Sequence, residues 1–341
     1  MTRNYLVTGG AGFIGSNYVR RLIQRGKNVT VFDNLSRAGA PHNVDWLKSQ
    51  FGDRAFRLIV GDVRNAEQIA EQAKDADVIV HLAGQVAVTT SVTNPRDDFE
   101  ANALGTFNTL EAARLSERDP IFIYASTNKV YGGMDDIKLI EQSTRWLYED
   151  LDHGCAEKQP LDFHSPYGVS KGTGDQYTRD YARIYGLRSV VFRQSCIYGP
   201  RQFGIEDQGW LAWMTIAAVT GRKITIYGDG KQVRDVLHVE DLLNAYDAAI
   251  ENIDNAKGQV YNMGGGTHNV LAIWAEFGPI LERLLGKKVE VARADWRPGD
   301  QKVFYADLRK AQRELSWEPK IDLEEGIEML FNWVKENREL F

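Results

Sequence analysis

Tyr167 and Lys171 stand four residues apart in Tyr-Gly-Val-Ser-Lys, a spacing that puts both side chains on one face of a helix. An ammonium beside a phenol favours phenolate and lowers a tyrosine pKa from its usual ~10. A tyrosine so tuned can remove a hydroxyl proton while a hydride leaves the same carbon. Thr127, in Ser126-Thr-Asn-Lys-Val-Tyr-Gly132, carries a hydroxyl that could hold the reacting hydroxyl in place. Each signal is weak alone. Tyrosine and lysine fall at this spacing in many helices, and a strand-end threonine commonly bonds backbone.

A second motif supplies the hydride acceptor. Thr8-Gly9-Gly10-Ala11-Gly12-Phe13-Ile14-Gly15 follows a short apolar run and opens a helical pattern. Gly9, Gly12 and Gly15 suit a tight turn, close backbone approach to a pyrophosphate, and close helix–strand packing. The helix N-terminus at Phe13 and Ile14 offers free N–H groups and partial positive charge. Asp33, 18 positions after Gly15, ends the next apolar run. A carboxylate there accepts from a ribose 2′-hydroxyl and repels a 2′-phosphate, so NAD is expected rather than NADP. Asn34 and Ser36 share its turn; Arg37, which could accommodate a phosphate, argues slightly the other way. By position in the sheet, Asp62 and Val63 fall at the adenine edge, and Leu82, Ala83 and Gln85 line the nicotinamide side.

These residues need an open parallel sheet to position them. Apolar runs at 5–8, 29–32, 56–60, 77–82, 121–125 and 189–193 alternate with helical patterns, notably 101–116 and 168–186. That rhythm predicts an α/β fold, a Rossmann-like doubly wound parallel sheet with a smaller α/β substrate-binding domain. The NAD-binding domain is expected over 1–195 and 236–263, and the substrate domain over 196–235 and 264–341. In the latter, helices are expected near 209–221, 270–285 and 322–337, with strands near 224–227 and 289–293. A long acidic stretch, 133–165, breaks the rhythm.

Composition excludes several classes. With 341 residues the chain holds about two domains. Forty-one basic against 47 acidic residues give a net charge of −6, too acidic for a general nucleic-acid binder. No apolar run approaches the ~20 residues of a membrane span. Two cysteines, Cys155 and Cys196, build no disulfide framework, and no signal segment is visible, so the cytoplasm is the expected location. His153, Cys155 and His164 match no metal-ligand spacing, so they are read as loop residues flanking the sugar pocket and no metal is expected.

Together the glycine motif, Asp33, Asp62, Thr127, Tyr167 and Lys171 resemble the extended short-chain dehydrogenase/reductase family of nucleotide-sugar enzymes, over nearly the whole chain. The resemblance implies that Thr127, Tyr167 and Lys171 are catalytic, with Lys171 also bonding the nicotinamide ribose. Asn102, opening Asn-Ala-Leu-Gly-Thr106, is similar to the asparagine that supports the cofactor end of the sheet. Arg193-Gln-Ser-Cys-Ile-Tyr-Gly-Pro200 resembles the segment entering the sugar-nucleotide site, where the family often has asparagine instead of Cys196. Tyr227 and Arg234 lie in stretches resembling the base- and phosphate-binding segment, and Arg297-Pro-Gly-Asp300 resembles the one closing over the nucleotide ribose.

Family dehydratases carry Asp-Glu after the catalytic threonine, an acid and a base for elimination. Here Asn128-Lys129 stands in that place, which disfavours 4,6-dehydration and leaves epimerisation through a transient ketone. Gly84-Gln-Val-Ala-Val-Thr-Thr-Ser91, with Val86 and Ala87, and Arg201-Gln202-Phe resemble the CDP-paratose/CDP-tyvelose 2-epimerase branch. That resemblance implies a CDP-sugar substrate, contacts from Val86, Ala87, Asn128, Cys196, Arg201, Gln202, Tyr227, Arg234, Arg297 and Asp300, and a tightly held NAD that is recycled. It also implies a homodimer, or a tetramer built from it. The competing readings are a UDP-sugar 4-epimerase, a 4,6-dehydratase and a non-enzymatic NAD sensor. The same catalytic residues serve carbon 2 and carbon 4.

Overall fold

The computed structural model describes residues 2–297 and 300–341. The chain divides into two compact units, one of residues 1–127, 165–193 and 243–261, the other of 128–164, 194–242 and 262–341.

The first unit is built on seven strands in the order Val260–Met263, Ser189–Gln194, Ile121–Thr127, Val78–His81, Asn4–Thr8, Asn28–Asp33 and Arg57–Val60. Asn4–Thr8 pairs in parallel with Asn28–Asp33 on one side and Val78–His81 on the other. Its apolar residues are buried because helices cover both faces; Val78, Ile79 and Val80 are fully inaccessible. Leu6, Phe32, Ile79, Leu110, Phe122 and Val191 form part of one apolar cluster. Strand order reverses beside Asn4–Thr8, so the carboxyl ends at Thr8, Asp33, His81 and Thr127 flank the crevice where such sheets bind ligands.

Local signals fix the helices that carry the site. Pro166–Tyr185 starts with Ser165 accepting from the Gly168 N–H at 3.0 Å, has Pro166 in its first turn, and stops at Gly186 with φ +74°. The helical pattern expected over 101–116 is interrupted: Pro95–Asp98 is α-helical, Phe99–Leu104 is a π-turn, and Gly105–Leu115 is α-helical again. The π-turn contains Asn102. Such turns are rare and concentrate at functional sites.

In the second unit, helices Trp210–Thr220, Phe277–Leu285 and Leu323–Glu336 share a core with Tyr198, Ile224 and Leu271. Residues 128–164 belong here, not to the dinucleotide domain as expected. The reason is local bonding: the Tyr148 hydroxyl donates to the Val303 carbonyl at 2.9 Å, the Cys155 N–H to Tyr305 at 2.8 Å, and the Asn262 N–H to the Glu157 carboxylate at 2.8 Å. Residues 236–242 lie in this unit as well. Val270–Ala272, expected as the start of a helix, is a strand paired antiparallel with Val233–Asp235. A short apolar run carries no periodicity that separates the two.

Candidate active site

The glycine loop is held by backbone. The Gly9 N–H donates to Phe32 O at 2.8 Å and the Gly12 N–H to Gly9 O at 3.0 Å. Gly9 has φ +67°, and a Cβ there would lie 2.7 Å from the Ala83 nitrogen. A Cβ on Gly15 would run into the Gly9 carbonyl and the Gly10 backbone. No side chain caps the helix at Gly12, so the N–H groups at Phe13 and Ile14 remain the ready anion site of a helix start. Asp33 accepts from the Ala11 N–H at 3.0 Å with one oxygen and from Leu35 N–H at 2.8 Å with the other. Burial raises its pKa, opposed by those backbone bonds and by Arg37. The cradle that a Cβ would fill, the open helix end and this carboxylate fit a dinucleotide.

The other expected cofactor residues divide. Asp62 accepts from Asn34 Nδ2 at 3.0 Å and from Arg64 Nε at 2.9 Å, and these bonds, Arg64 first, hold its carboxyl down to about 2. Ser36 is exposed on the same loop, its N–H bonded to Asn34 Oδ1 at 3.1 Å. Val63 is a core residue, its side chain buried in the apolar cluster. The Leu82 N–H donates to Thr8 O at 3.1 Å and the Ala83 N–H to Thr8 Oγ1 at 3.3 Å. Gln85 closes its amide on Ala87, donating to the carbonyl at 2.6 Å and accepting from the N–H at 2.7 Å. That ring commits the amide internally.

Thr127, Tyr167 and Lys171 are all buried, at 6%, 8% and 6% exposure. Thr127 hydrogen-bonds the Tyr167 phenol. The expected depression of the tyrosine is not found: burial pushes Tyr167 up to about 12, Thr127 opposes it, and Asp98 adds to the rise. Lys171 does not offset this. Its Nζ lies 4.5 Å from the centre of the Tyr124 ring, a cation–π contact. Burial pushes its ammonium down to about 8, against the pull of Asp98 and Asp175. Asn102 Nδ2 donates to Asp98 Oδ1 and Ser170 Oγ, both at 3.1 Å, and so joins the π-turn to the helix of Tyr167. The Tyr167 N–H donates to Ser91 Oγ at 3.1 Å. His81 bonds the hydroxyls of Thr8 at 2.7 Å and Thr106 at 3.1 Å, its imidazole held neutral by burial.

In the second unit, Arg234 is 5% exposed and donates to Asp300 Oδ1 at 2.6 Å. Arg297 stacks on Tyr227, 3.9 Å from the ring centre, and pairs with Asp207 at 3.2 Å. Pro298 and Gly299, between Arg297 and Asp300, lie outside the described residues. Cys196 accepts from Trp210 Nε1 at 3.4 Å, and burial raises its thiol pKa. Arg201 has φ +69° and lies over Phe203 and Trp333, while Gln202 Nε2 donates to Ile197 O at 3.2 Å. Asn128 Nδ2 donates to Gln301 Oε1 at 3.4 Å. Cys155, read as a loop residue, is 1% exposed and bonded through its backbone to Tyr305 and Asp307. Among the described residues no group of three or more His, Cys, Asp or Glu side chains is placed to hold a metal.

Residues 6–330 match the protein-family model described as GDP-mannose 4,6 dehydratase. The chain belongs to this family. Members and relatives of the GDP-mannose 4,6 dehydratase family found with it carry different names. A CDP-paratose 2-epimerase of Salmonella typhi is 44% identical over 96% of this chain and 98% of its own. A putative UDP-glucose 4-epimerase of Methanocaldococcus jannaschii is 34% identical over 97% and 98%. The crystal structure of a dTDP-glucose 4,6-dehydratase from Streptomyces venezuelae, with NAD bound, superposes with a TM-score of 0.84 at 30% identity, covering 99% of this chain and 98% of that one. The fold and the extended short-chain dehydrogenase/reductase resemblance are thereby both established.

Sequence reading within this family missed several residues. Arg64, which binds Asp62 and Asp97, gave no signal beyond its charge. Asp98, Ser91 and Ser170 are polar residues whose burial arises only from tertiary packing. Asp175 was findable: it lies four residues after Lys171 on the same helical face.

Proposed function

We propose that the chain is an NAD-dependent epimerase that inverts carbon 2 of a CDP-hexose of the CDP-paratose/CDP-tyvelose or CDP-glucose type. The observation that carries the proposal is the bonded Thr127–Tyr167 pair followed by Asn128-Lys129, with no carboxylate after the threonine. An amide and an ammonium offer no acid–base pair for elimination, which separates this chain from dehydratases of the same fold. The 44% identity to a CDP-paratose 2-epimerase supports carbon 2 and the cytidine base.

Gly9, Gly12 and Gly15 would cradle the pyrophosphate of NAD, and Asp33 would take a ribose hydroxyl. Bound NAD supplies a two-electron acceptor that returns what it takes, so none is consumed. Thr127 would orient the hydroxyl on carbon 2, and Tyr167 would take its proton and later give it back. Lys171 would bond the nicotinamide ribose. The keto sugar then turns about its diphosphate linkage to present its other face. Arg234 would hold that diphosphate in a guanidinium fork. Exposed Phe99, Phe107, Val169, Tyr177 and Ile184, on the 99–115 and 166–185 helical segments, support pairing of two copies.

The test is incubation of the purified protein with CDP-paratose, CDP-glucose and UDP-glucose in deuterated water, with products read by NMR. Inversion at carbon 2 without deuterium there is the expected result. Conversion at carbon 4 and never at carbon 2 would mean a 4-epimerase, and substantial deuterium at carbon 2 would replace direct return by a proton-exchange route.

A further inference from the structure

We propose that Tyr124 is a positioning residue for Lys171: its hydroxyl holds the lysine backbone, its ring face holds the ammonium, and a buried hydrogen-bond chain through His81 holds Tyr124 itself. The contacts are independent of the reaction; their effect on turnover rests on Lys171 acting as proposed.

Tyr124 lies in the strand Ile121–Thr127 and is fully buried. It meets the lysine at both ends. Its hydroxyl donates to the Lys171 carbonyl at 3.1 Å, and Lys171 Nζ lies 4.5 Å from the centre of its ring. Gly174 makes room for this approach: a Cβ there would lie 2.7 Å from the ring carbon that bears the hydroxyl. That glycine stands inside the helix Pro166–Tyr185, where the residue is normally disfavoured.

The ring is needed because a lysine stem has many rotamers to choose among. The carboxylates that act on the ammonium are Asp98 and Asp175. Both have other commitments. Asp175 takes the guanidinium fork of Arg193, and Asp98 Oδ1 accepts from Asn102 at 3.1 Å. Their field favours the charge, whereas the ring face gives it a direction.

The chain behind Tyr124 follows from counting protons. A hydroxyl has one to give. Tyr124 gives its own to Lys171, so in its bond with Thr106 it accepts. Thr106 has then spent its proton and accepts from His81 Nε2 at 3.1 Å. Burial keeps the imidazole neutral, so its Nδ1 accepts from the Thr8 hydroxyl at 2.7 Å. Thr8 Oγ1 in turn accepts from the Ala83 N–H at 3.3 Å. Every bond runs the same way, from the carboxyl ends of the strands at Thr8 and His81 to Lys171. The imidazole also lies nearly parallel to the Tyr124 ring, at 17° and 6.0 Å between centres. Ring position and hydroxyl direction are thus both fixed within the first unit.

The test uses purified protein carrying ¹³C at the lysine ε-carbons. The Lys171 signal is the one lost in Lys171→Met. Protons over an aromatic face are shielded, so the Lys171 ε-protons should resonate upfield of the other lysines. Tyr124→Phe retains the ring and should retain that shift; Tyr124→Met should lose it. With CDP-paratose as substrate, Tyr124→Met should lower kcat about tenfold with KM within about twofold of wild type, and Tyr124→Phe should stay within about threefold in both. Wild-type ε-protons among the other lysine signals would overturn the contact whatever the reaction, and this measurement needs no folded variant. An unmoved signal in Tyr124→Met would overturn it too. A lost shift with undiminished kcat in Tyr124→Met would overturn the positioning role, whereas undiminished kcat in Lys171→Met would overturn the part given to Lys171.

Discussion

The Arg193–Asp175 pair offers a quantitative test of what holds the catalytic residues in place. Arg193 is 2% exposed and Asp175 fully buried. The guanidinium donates in a fork, Nε to Oδ2 at 2.8 Å and Nη2 to Oδ1 at 3.0 Å. Asp175 also accepts from Ser126 Oγ at 2.9 Å. Ser126 precedes Thr127, and Asp175 lies one helical turn after Lys171, so this carboxylate ties the strand of the threonine to the helix of the tyrosine. At 2.8 Å and an effective dielectric of about 20, the Coulomb attraction alone is about 6 kcal/mol. Most of that offsets desolvation. Arg193→Met leaves the carboxylate buried without its cation, which costs about 3–5 kcal/mol. Arg193→Met with Asp175→Met removes both charges and should recover at least half of the loss, since apolar replacement of a whole buried pair is often neutral. Urea unfolding of the wild type, the single and the double variant reads these differences directly. An Arg193→Met protein within about 1 kcal/mol of wild type, or a double variant no better than the single, would refute the reasoning.

Two further substitutions probe the site itself. Tyr167→Phe should lower turnover about 100- to 10,000-fold while the purified protein retains its NAD, measured by releasing and quantifying the nucleotide; unimpaired turnover would remove Tyr167 from its role. Gly84→Ala places a methyl 2.5 Å from Asn102 Oδ1; it should cost about 1–3 kcal/mol of stability and weaken NAD binding by displacing the Asn102–Ser170 bond, both absent if the loop simply yields.

What the sequence disclosed was local. The glycine loop could be read because strand, turn and helix start follow one another within a few residues. Tyr167 and Lys171 could be read because helical geometry alone puts them on one face. Signals that depend on distant packing could not be read. The direction of the Tyr167 shift follows from burial and from Asp98, and nothing in Tyr-Gly-Val-Ser-Lys announces either. Gln85 has the composition of a cofactor contact, yet its amide is committed to Ala87 by a two-residue ring. Residues 128–164 lack periodicity, so their bonding to 303–307 and Asn262 was invisible along the chain.

The charges around Tyr167 bear on when it can act as a base. Asp175 is cancelled by Arg193, and the field of Lys171 is opposed by Asp98, 1% exposed and bonded by Asn102. With those two pairings, the buried group is neutral when Tyr167 is a phenol. Ionising the phenol would add a negative charge in a place that solvates it poorly, and Thr127 supplies only one hydrogen bond against that cost. The polypeptide by itself therefore holds its base in the protonated form. A positive charge brought beside the phenol would reverse the balance, and the ring of oxidised NAD carries one. On the proposed reading, Tyr167 becomes a competent base only with the oxidised cofactor in place, turns to phenol as the sugar is oxidised, and gives that proton back as the keto sugar is reduced. Such coupling suits an enzyme that must not abstract a proton unless the acceptor for the accompanying electrons is already present.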